Sequence, residues 1–594
     1  MKKVIAFAVY CSLIAVLSCF HYKSARAQSA VANMKQLDET QLNTKERAFA
    51  AAALRSKFVS KYWYAEVSFD PTANELQITL PEMDVLSFTI QRRNEQADGL
   101  SAWCGKSADG ATATLVWHNG MIHGNIAVNP RLVYSIQPIG GNRHIIYIIN
   151  QQHAPKEESR EQYEGMKLAS TVPAEMNQPR FELPEADDLR TGGNDCYIRV
   201  LVGFDHDAAL SEADPIGFAL ECAELSNTIY ANSQVNFQME IAYVRNYPDV
   251  ASSDIDDALA EWEFDFGNDK FNDVFSEREQ YDADFCILIA EDFDGDYVGL
   301  AATILASYGS AFCVVERGSA IDNLSFTHEI GHLMGARHDL YMDGSGDFNH
   351  GYIIHSEKVR TVMAYDDECD DNGYNCDRIQ YFSTPDVNFP GTSKPLGTAA
   401  DEHNERALDE NESEFADFEP VVSNKTFLFP EFVEGSIYGN VTALNTIQHI
   451  ADYQVTGGAQ VVWSAGDYIV LEDGFYAGAG ASFQAKLGGC DALRIQDGNM
   501  EQDASTGSFQ NMNLFPNPAA SETTVSFQLE EKSTVSINMV DLQGRLVFKS
   551  MSQLYEAGTQ LIDINCSSFT SGTYLCYLII NGEPVVSKLI VQQD

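Results

Sequence analysis

At 594 residues the chain is too long for one hydrophobic core, and its length predicts about three to five domains. A composition of 45% hydrophobic, 11% aromatic and 21% charged residues is that of globular domains and excludes a disordered chain. Its 38 Lys and Arg stand against 86 Asp and Glu, a formal charge of −48, which excludes the basic face that nucleic acid requires.

In chain order, Met1-Lys2-Lys3, an apolar run from Val4 to Phe20 and then Ser24-Ala25-Arg26-Ala27 predict an export signal at 1–27, cut after Ala27. A buried first helix and a lipoprotein cut at Cys19 are the alternatives. No later stretch approaches the roughly 20 apolar residues of a membrane helix, so no transmembrane segment is expected after processing. Cys11 and Cys19 would leave with the signal, and the remaining cysteines enter an oxidising compartment. Cys369 and Cys376, flanking a short acidic loop, are the candidate disulfide.

Residues 28–190 alternate polar helical stretches with strand-like runs such as 86–90 and 144–149, and end in a charged, Pro-containing linker. A folded region between an export signal and a catalytic domain reads as a propeptide, with Arg180 or Arg190 as cleavage points. Over 191–420 the pattern changes: a buried strand at 197–202, a helix over 215–231, and strands at 237–244, 285–290 and 311–315 predict a mixed sheet covered by helices. From 421 short strands separated by Gly dominate. The runs 459–463, 467–471 and 481–485 read as rungs of a small β-stack within 421–507, and 508–594 as a small β-sandwich.

The segment His328-Glu329-Ile330-Gly331-His332 places two imidazoles four residues apart on one helical face with a carboxylate between them. Gly335 permits a sharp turn that returns His338 to the same point. Three neutral histidines leave Zn²⁺ a fourth position for water, whose pKa falls to about 7, and Glu329 is placed to take its proton. These residues predict a zinc site with His328, His332 and His338 as ligands and Glu329 as base.

With Thr361-Val362-Met363-Ala364-Tyr365 further on, the extended motif resembles the metzincin metallopeptidases. Asp339 and the ending Tyr381-Phe382-Ser383-Thr384-Pro385 resemble the reprolysin or adamalysin branch, in its bacterial secreted form. The resemblance implies a multidomain protein whose α/β (α+β) catalytic domain has a mixed five-stranded sheet and an active-site helix, with a propeptide before it and all-β modules after it. It implies an endopeptidase acting on proteins and peptides, Met363 as a hydrophobic floor beneath the zinc, and Asp339 as a support joining helix and Met-turn. Tyr365 is either a zinc ligand or oxyanion stabiliser, or a packed core tyrosine.

Cys104 could bind the zinc as a propeptide switch, or sit as a buried structural cysteine. The acidic clusters at 291–296 and 366–371 could hold a structural Ca²⁺, or be solvated loops. Asn513-Leu514-Phe515-Pro516-Asn517-Pro518, Asp541-Leu542-Gln543-Gly544-Arg545, Ser571-Gly572-Thr573-Tyr574 and Lys588-Leu589-Ile590-Val591 resemble the type IX secretion sorting domain of Bacteroidetes. That resemblance implies the type IX machinery as a partner and a secreted or surface location. The expectation is a secreted zinc metalloendopeptidase made as a zymogen; the alternative is a noncatalytic surface adhesin on a protease-like scaffold.

Overall fold

The computed structural model describes residues 29–97, 99–152, 154–169, 197–264, 270–294, 297–416 and most of 418–487 and 512–592. The export signal with Cys19, the cleavage points Arg180 and Arg190, and positions 295–296 of the first acidic cluster lie outside the described residues. The described residues up to 420, with Gly435–Val441 and Ala459–Val462, form one compact unit; the rest of the C-terminal part forms another.

In the first unit, strands β1 (Ser29–Leu37), β2 (Val59–Ser68), β3 (Glu75–Thr79), β4 (Val85–Ala97), β5 (Leu100–Lys106), β6 (Thr112–His118), β7 (Met121–Asn129), β8 (Leu132–Gly140) and β9 (Arg143–Ile149) close into a barrel. Parallel pairing of β1 with β3 completes the ring and leaves no free edge. Leu76, Phe88, Trp103, Leu115, Ile126 and Ile146 belong to its core. The polar helical stretches expected over 28–190 reduce, among the described residues, to a 3-10 turn at Glu39–Gln41 and the α-helices Thr44–Ala53 and Arg160–Ala169. The period-2 signal is weak because β6 is buried almost throughout, so alternation of apolar and polar residues is lost.

The second layer starts at β10 (Ile198–Phe204), followed by the helix Pro215–Ser233, β11 (Met239–Asn246), β12 (Phe285–Ala290), β13 (Gly299–Ala301) and β14 (Phe312–Glu316). The order β13-β14-β12-β10-β11 has β13 antiparallel to β14 and the others parallel. β10, β12 and β14 are buried at every position, as expected of strands covered on both faces. The sheet runs on past these strands, because Tyr438 and Gly439 pair antiparallel with Val244 and Tyr243 of β11. The helix Pro215–Ser233 packs against β11 on one side and against β5, β6 and β7 of the barrel on another. Asp214 caps it, accepting from the Gly217 amide at 3.2 Å, with Pro215 at its first turn. It stops at Gln234, in left-handed backbone with φ 66°.

The second unit opens with two parallel stacks, Asn424–Phe427 with Thr446–His449 and Tyr468–Val470, and Glu431–Glu434 with Tyr453–Thr456 and Phe475–Ala477. Stacked partners such as Asn424 and Thr446 are 22 residues apart. The rung spacing looked uneven in the sequence because successive strands of one coil belong to different faces. The final part packs a sheet of Asn513–Phe515, Glu522–Leu529 and Gly558–Asn565 with a second sheet built on Ser533–Asp541, Gly572–Ile580 and Glu583–Val591. Val525, Phe527, Ile537, Met539 and Leu578 form part of the core of this sandwich.

Candidate metal centre and the segment across it

The active-site helix Ser325–Leu333 is buried along its whole length. His328 and His332 lie one turn apart on it, and the chain leaves the helix through Gly335, whose φ of +93° is available to glycine at little cost. The turn returns His338, so that the three Nε2 atoms form a triangle with sides of 3.2, 3.1 and 3.1 Å. His328 Nδ1 donates to the Val362 carbonyl at 3.0 Å and His332 Nδ1 to the Ala336 carbonyl at 2.8 Å, which turns the Nε2 lone pairs of both rings inward. Burial pushes the imidazoles of His328 and His332 down in pKa and keeps them neutral. His338 is held between rings, with Tyr163 at 4.1 Å and Tyr365 at 4.2 Å.

A fourth donor completes the group. Oε1 of Glu158 lies 2.9 Å from His338 Nε2 and 3.4 Å from His332 Nε2. Lone pairs of imidazole and carboxylate converging on one buried point repel one another unless a cation sits among them, and three imidazoles with an oxygen form the donor set of tetrahedral zinc. The residues present therefore fit the metal.

Glu329 points beside this point, against β13: a Cβ on Gly299 would stand 2.4 Å from its Oε1. Burial, and then the charges of Glu158 and Glu157, hold its carboxyl well above the usual range. Met363 is fully buried beneath the helix, and a Cβ on Gly331 would meet its Sδ at 2.7 Å, so glycine is what lets the thioether approach the histidines. Asp339 accepts from the amides of Tyr341 at 3.1 Å and Tyr365 at 2.9 Å, tying the third histidine to the Met363 turn. The Tyr365 hydroxyl donates to Glu158 Oε2 at 2.8 Å and accepts from the Glu157 and Glu158 amides, both at 3.1 Å.

Cys104, weighed as a zinc-binding switch or a buried structural cysteine, is buried and free. Its sulfur, on β5, faces Arg92 at 3.3 Å, Glu224 at 3.8 Å and Thr228 at 3.9 Å rather than the histidines. Burial pushes the thiol up to about 11, so it stays protonated. The side chain of the N-terminal region that stands beside the histidines is Glu158, in a strap running from 154 into the helix Arg160–Ala169. Glu157, Glu158, Tyr163 and Arg378 were all missed in the sequence, where 155–158 read as a charged linker and no spacing linked it to the histidines.

The candidate disulfide is present, joining Cys369 to Cys376. The acidic clusters have other partners: Glu291 pairs with Arg55 and Arg317, Asp367 with Lys156, and Asp371 accepts from Tyr341. Neither cluster gathers three carboxylates around one point among the described residues.

A mixed sheet, a buried helix with two histidines, a third histidine after a glycine turn and a methionine below them define the class as a zinc-dependent peptide hydrolase. A model of metallo-peptidase family M12 matches residues 219–383, and one of the secretion system C-terminal sorting domain matches 513–592. The peptidyl-Asp metalloendopeptidase of Xanthomonas campestris pv. campestris is 28% identical over 52% of this chain and 70% of its own length. That of Stenotrophomonas maltophilia is 28% identical over 53% and 72%. The solved metalloproteinase-II from Bacteroides fragilis aligns over 57% of this chain and 92% of its own, at 12% identity and TM-score 0.31. The chain carries a reprolysin-like M12 metallopeptidase domain and a type IX secretion C-terminal sorting domain. It is a zinc metalloendopeptidase exported across the outer membrane, to the medium or the cell surface. No helix among the described residues is long and apolar enough to cross a membrane.

Proposed function

We propose that the chain is a latent precursor in which residues 28–190 are the propeptide, His328, His332 and His338 hold the zinc, and Glu158 occupies its fourth position until the strap is removed. The observation that carries this reading is the convergence of the three Nε2 atoms with Glu158 Oε1 on one buried point. Bound there, zinc supplies Lewis acidity toward the scissile carbonyl and lowers the pKa of water.

The chain's own groups do the rest. With Glu158 gone, Glu329 is the carboxylate beside the vacated position; it takes the proton of the attacking water and delivers it to the departing amine. The Tyr365 hydroxyl, released from Glu158, becomes a donor to the oxygen that gains charge. Met363 and Asp339 act at one remove, by holding the rings and the turn in place. The curated relatives' name, peptidyl-Asp metalloendopeptidase, supports a preference for peptide bonds at aspartate.

The test is peptidase assay of the purified full chain before and after proteolytic removal of the N-terminal region. Activity that appears on removal, and that arises earlier in Glu158→Ala, is expected. A wild-type chain fully active while uncleaved overturns the latency.

A further inference from the structure

Resting on that reading, we propose that Arg378, with Asn323 and Ser325, selects an acidic side chain next to the scissile bond, and that Glu157 fills this pocket in the latent chain as a substrate's acid does. Glu157 and Arg378 are almost completely buried, at 0% and 1% side-chain exposure. The guanidinium grips both carboxylate oxygens, Nη2 reaching Oε2 at 3.1 Å and Nη1 bonding Oε1. Asn323 Nδ2 donates to Oε1 at 2.8 Å and Ser325 Oγ at 3.2 Å. A planar fork with two neutral donors matches a carboxylate and mismatches an amide.

The main chain around Glu157 is held as a peptide ligand would be. Its carbonyl accepts from the amides of Val298 at 2.9 Å and Gly299 at 3.0 Å, at the sheet edge formed by β13, and its own amide donates to Tyr365. Lys156 bridges to Tyr297 on the same edge. The next residue, Glu158, stands at the metal position, so the acid-binding pocket is one residue away from the chemistry.

What the pocket becomes once the strap leaves follows from its charge. Burial, and then the nearby charge of Arg378, lowers the pKa of Arg360 to about 10, which marks the surroundings of Arg378 as crowded with positive charge. Removing Glu157 alone leaves Arg378 without its carboxylate partner, which is costly in a buried site, and an acidic substrate side chain restores the pair. A substrate amide restores only part of the hydrogen bonding and none of the charge, which predicts a preference of at least about tenfold for Asp or Glu over Asn or Gln.

The experiment takes enzyme processed from the full chain and measures kcat/KM on peptide pairs that differ only in Asp against Asn, or Glu against Gln, at each position flanking the cleaved bond. The acidic member is expected to be favoured at one position by at least about tenfold, and Arg378→Gln is expected to bring that ratio close to one. Because a buried arginine variant can fail to fold, a second arm uses only the wild-type enzyme. A linear peptide of residues 152–162 is expected to inhibit it at least about tenfold better than the same peptide carrying Glu157→Gln. Equal cleavage of both members of each pair, or equal inhibition by the two peptides, overturns the pocket. An enzyme that cleaves no peptide overturns the peptidase reading beneath it.

Discussion

Oε1 of Glu158 stands 2.9 Å from Nε2 of His338, while the other oxygen of the same carboxylate accepts the Tyr365 hydroxyl at 2.8 Å. One side chain of the N-terminal region thus reaches both the point where the three imidazoles converge and the Tyr365 hydroxyl. Latency on this account is competition for two groups at once.

Glu329→Gln keeps the shape of the side chain and removes the carboxylate proposed as the base. In processed enzyme, kcat/KM on a peptide substrate is expected to fall roughly 100- to 10,000-fold. Zinc content by atomic absorption should remain that of the wild type. An unimpaired rate would exclude Glu329 from proton transfer.

Chelation should destabilise the fold as well as stop hydrolysis. Without the cation, the buried lone pairs of His328, His332, His338 and Glu158 face one another. A ligand present at a thousand times its Kd stabilises by about 4 kcal/mol, so a lower Tm in the chelated chain, restored by one equivalent of Zn²⁺, is expected from thermal unfolding. A Tm insensitive to chelator would contradict the site.

The hold of the barrel on the catalytic domain should loosen as pH rises. His123 of β7 lies 3.1 Å from Asp214, which caps the long helix, and 3.6 Å from Glu221. Burial alone would lower its pKa, but the bonds to Asp214 and Glu221 outweigh that and raise it to about 10. Asp322, which accepts from Tyr147 and Ser56 of the N-terminal region, is raised by burial to about 7. Once the partners separate into water, these groups return to about 6.5 and 3.9, so the docked form binds more protons. The His123 contribution is complete below about 6.5 and lost as pH passes 10; that of Asp322 is complete below about 3.9 and lost through 7. Glu157 acts in the opposite sense, because Arg378 overcomes burial and lowers it to about 2, but only as pH falls below its ordinary carboxylate range. Dissociation of the cleaved N-terminal fragment, followed by size exclusion from pH 5 to 9, should increase steadily. A decrease over that range would show the sign to be wrong.

Gly351→Ala should injure the site from outside it. A Cβ there would stand 2.7 Å from the Ala364 amide nitrogen and 2.9 Å from the Met363 carbonyl carbon, both backbone. Moving that turn costs roughly 1–3 kcal/mol and displaces the floor beneath the histidines. Thermal unfolding and zinc competition should both register it; an unchanged Tm and affinity would mean that the turn yields freely.

How much of this was legible depended on how local each feature is. His328, His332 and Glu329 are set by one helical turn and His338 by Gly335, so spacing alone places them; Met363 and Asp339 needed the family resemblance as well. β10, β12 and β14 announced themselves as continuous apolar runs because they are covered on both faces. The barrel did not, because burial on both faces of β6 erases alternation and ring closure between β1 and β3 has no sequence signal. Glu158 and Arg378 were out of reach for a related reason. Glu158 meets the histidines, and Arg378 meets Glu157, across well over a hundred residues, and a Glu-Glu pair in a charged stretch is indistinguishable from a solvated linker.

The most direct measurement is anomalous diffraction at the zinc edge from crystals of the uncleaved, zinc-loaded chain. The account predicts one zinc bound by Nε2 of His328, His332 and His338 and by a Glu158 oxygen. A zinc held by the three histidines with water in the fourth place and Glu158 turned away would contradict it.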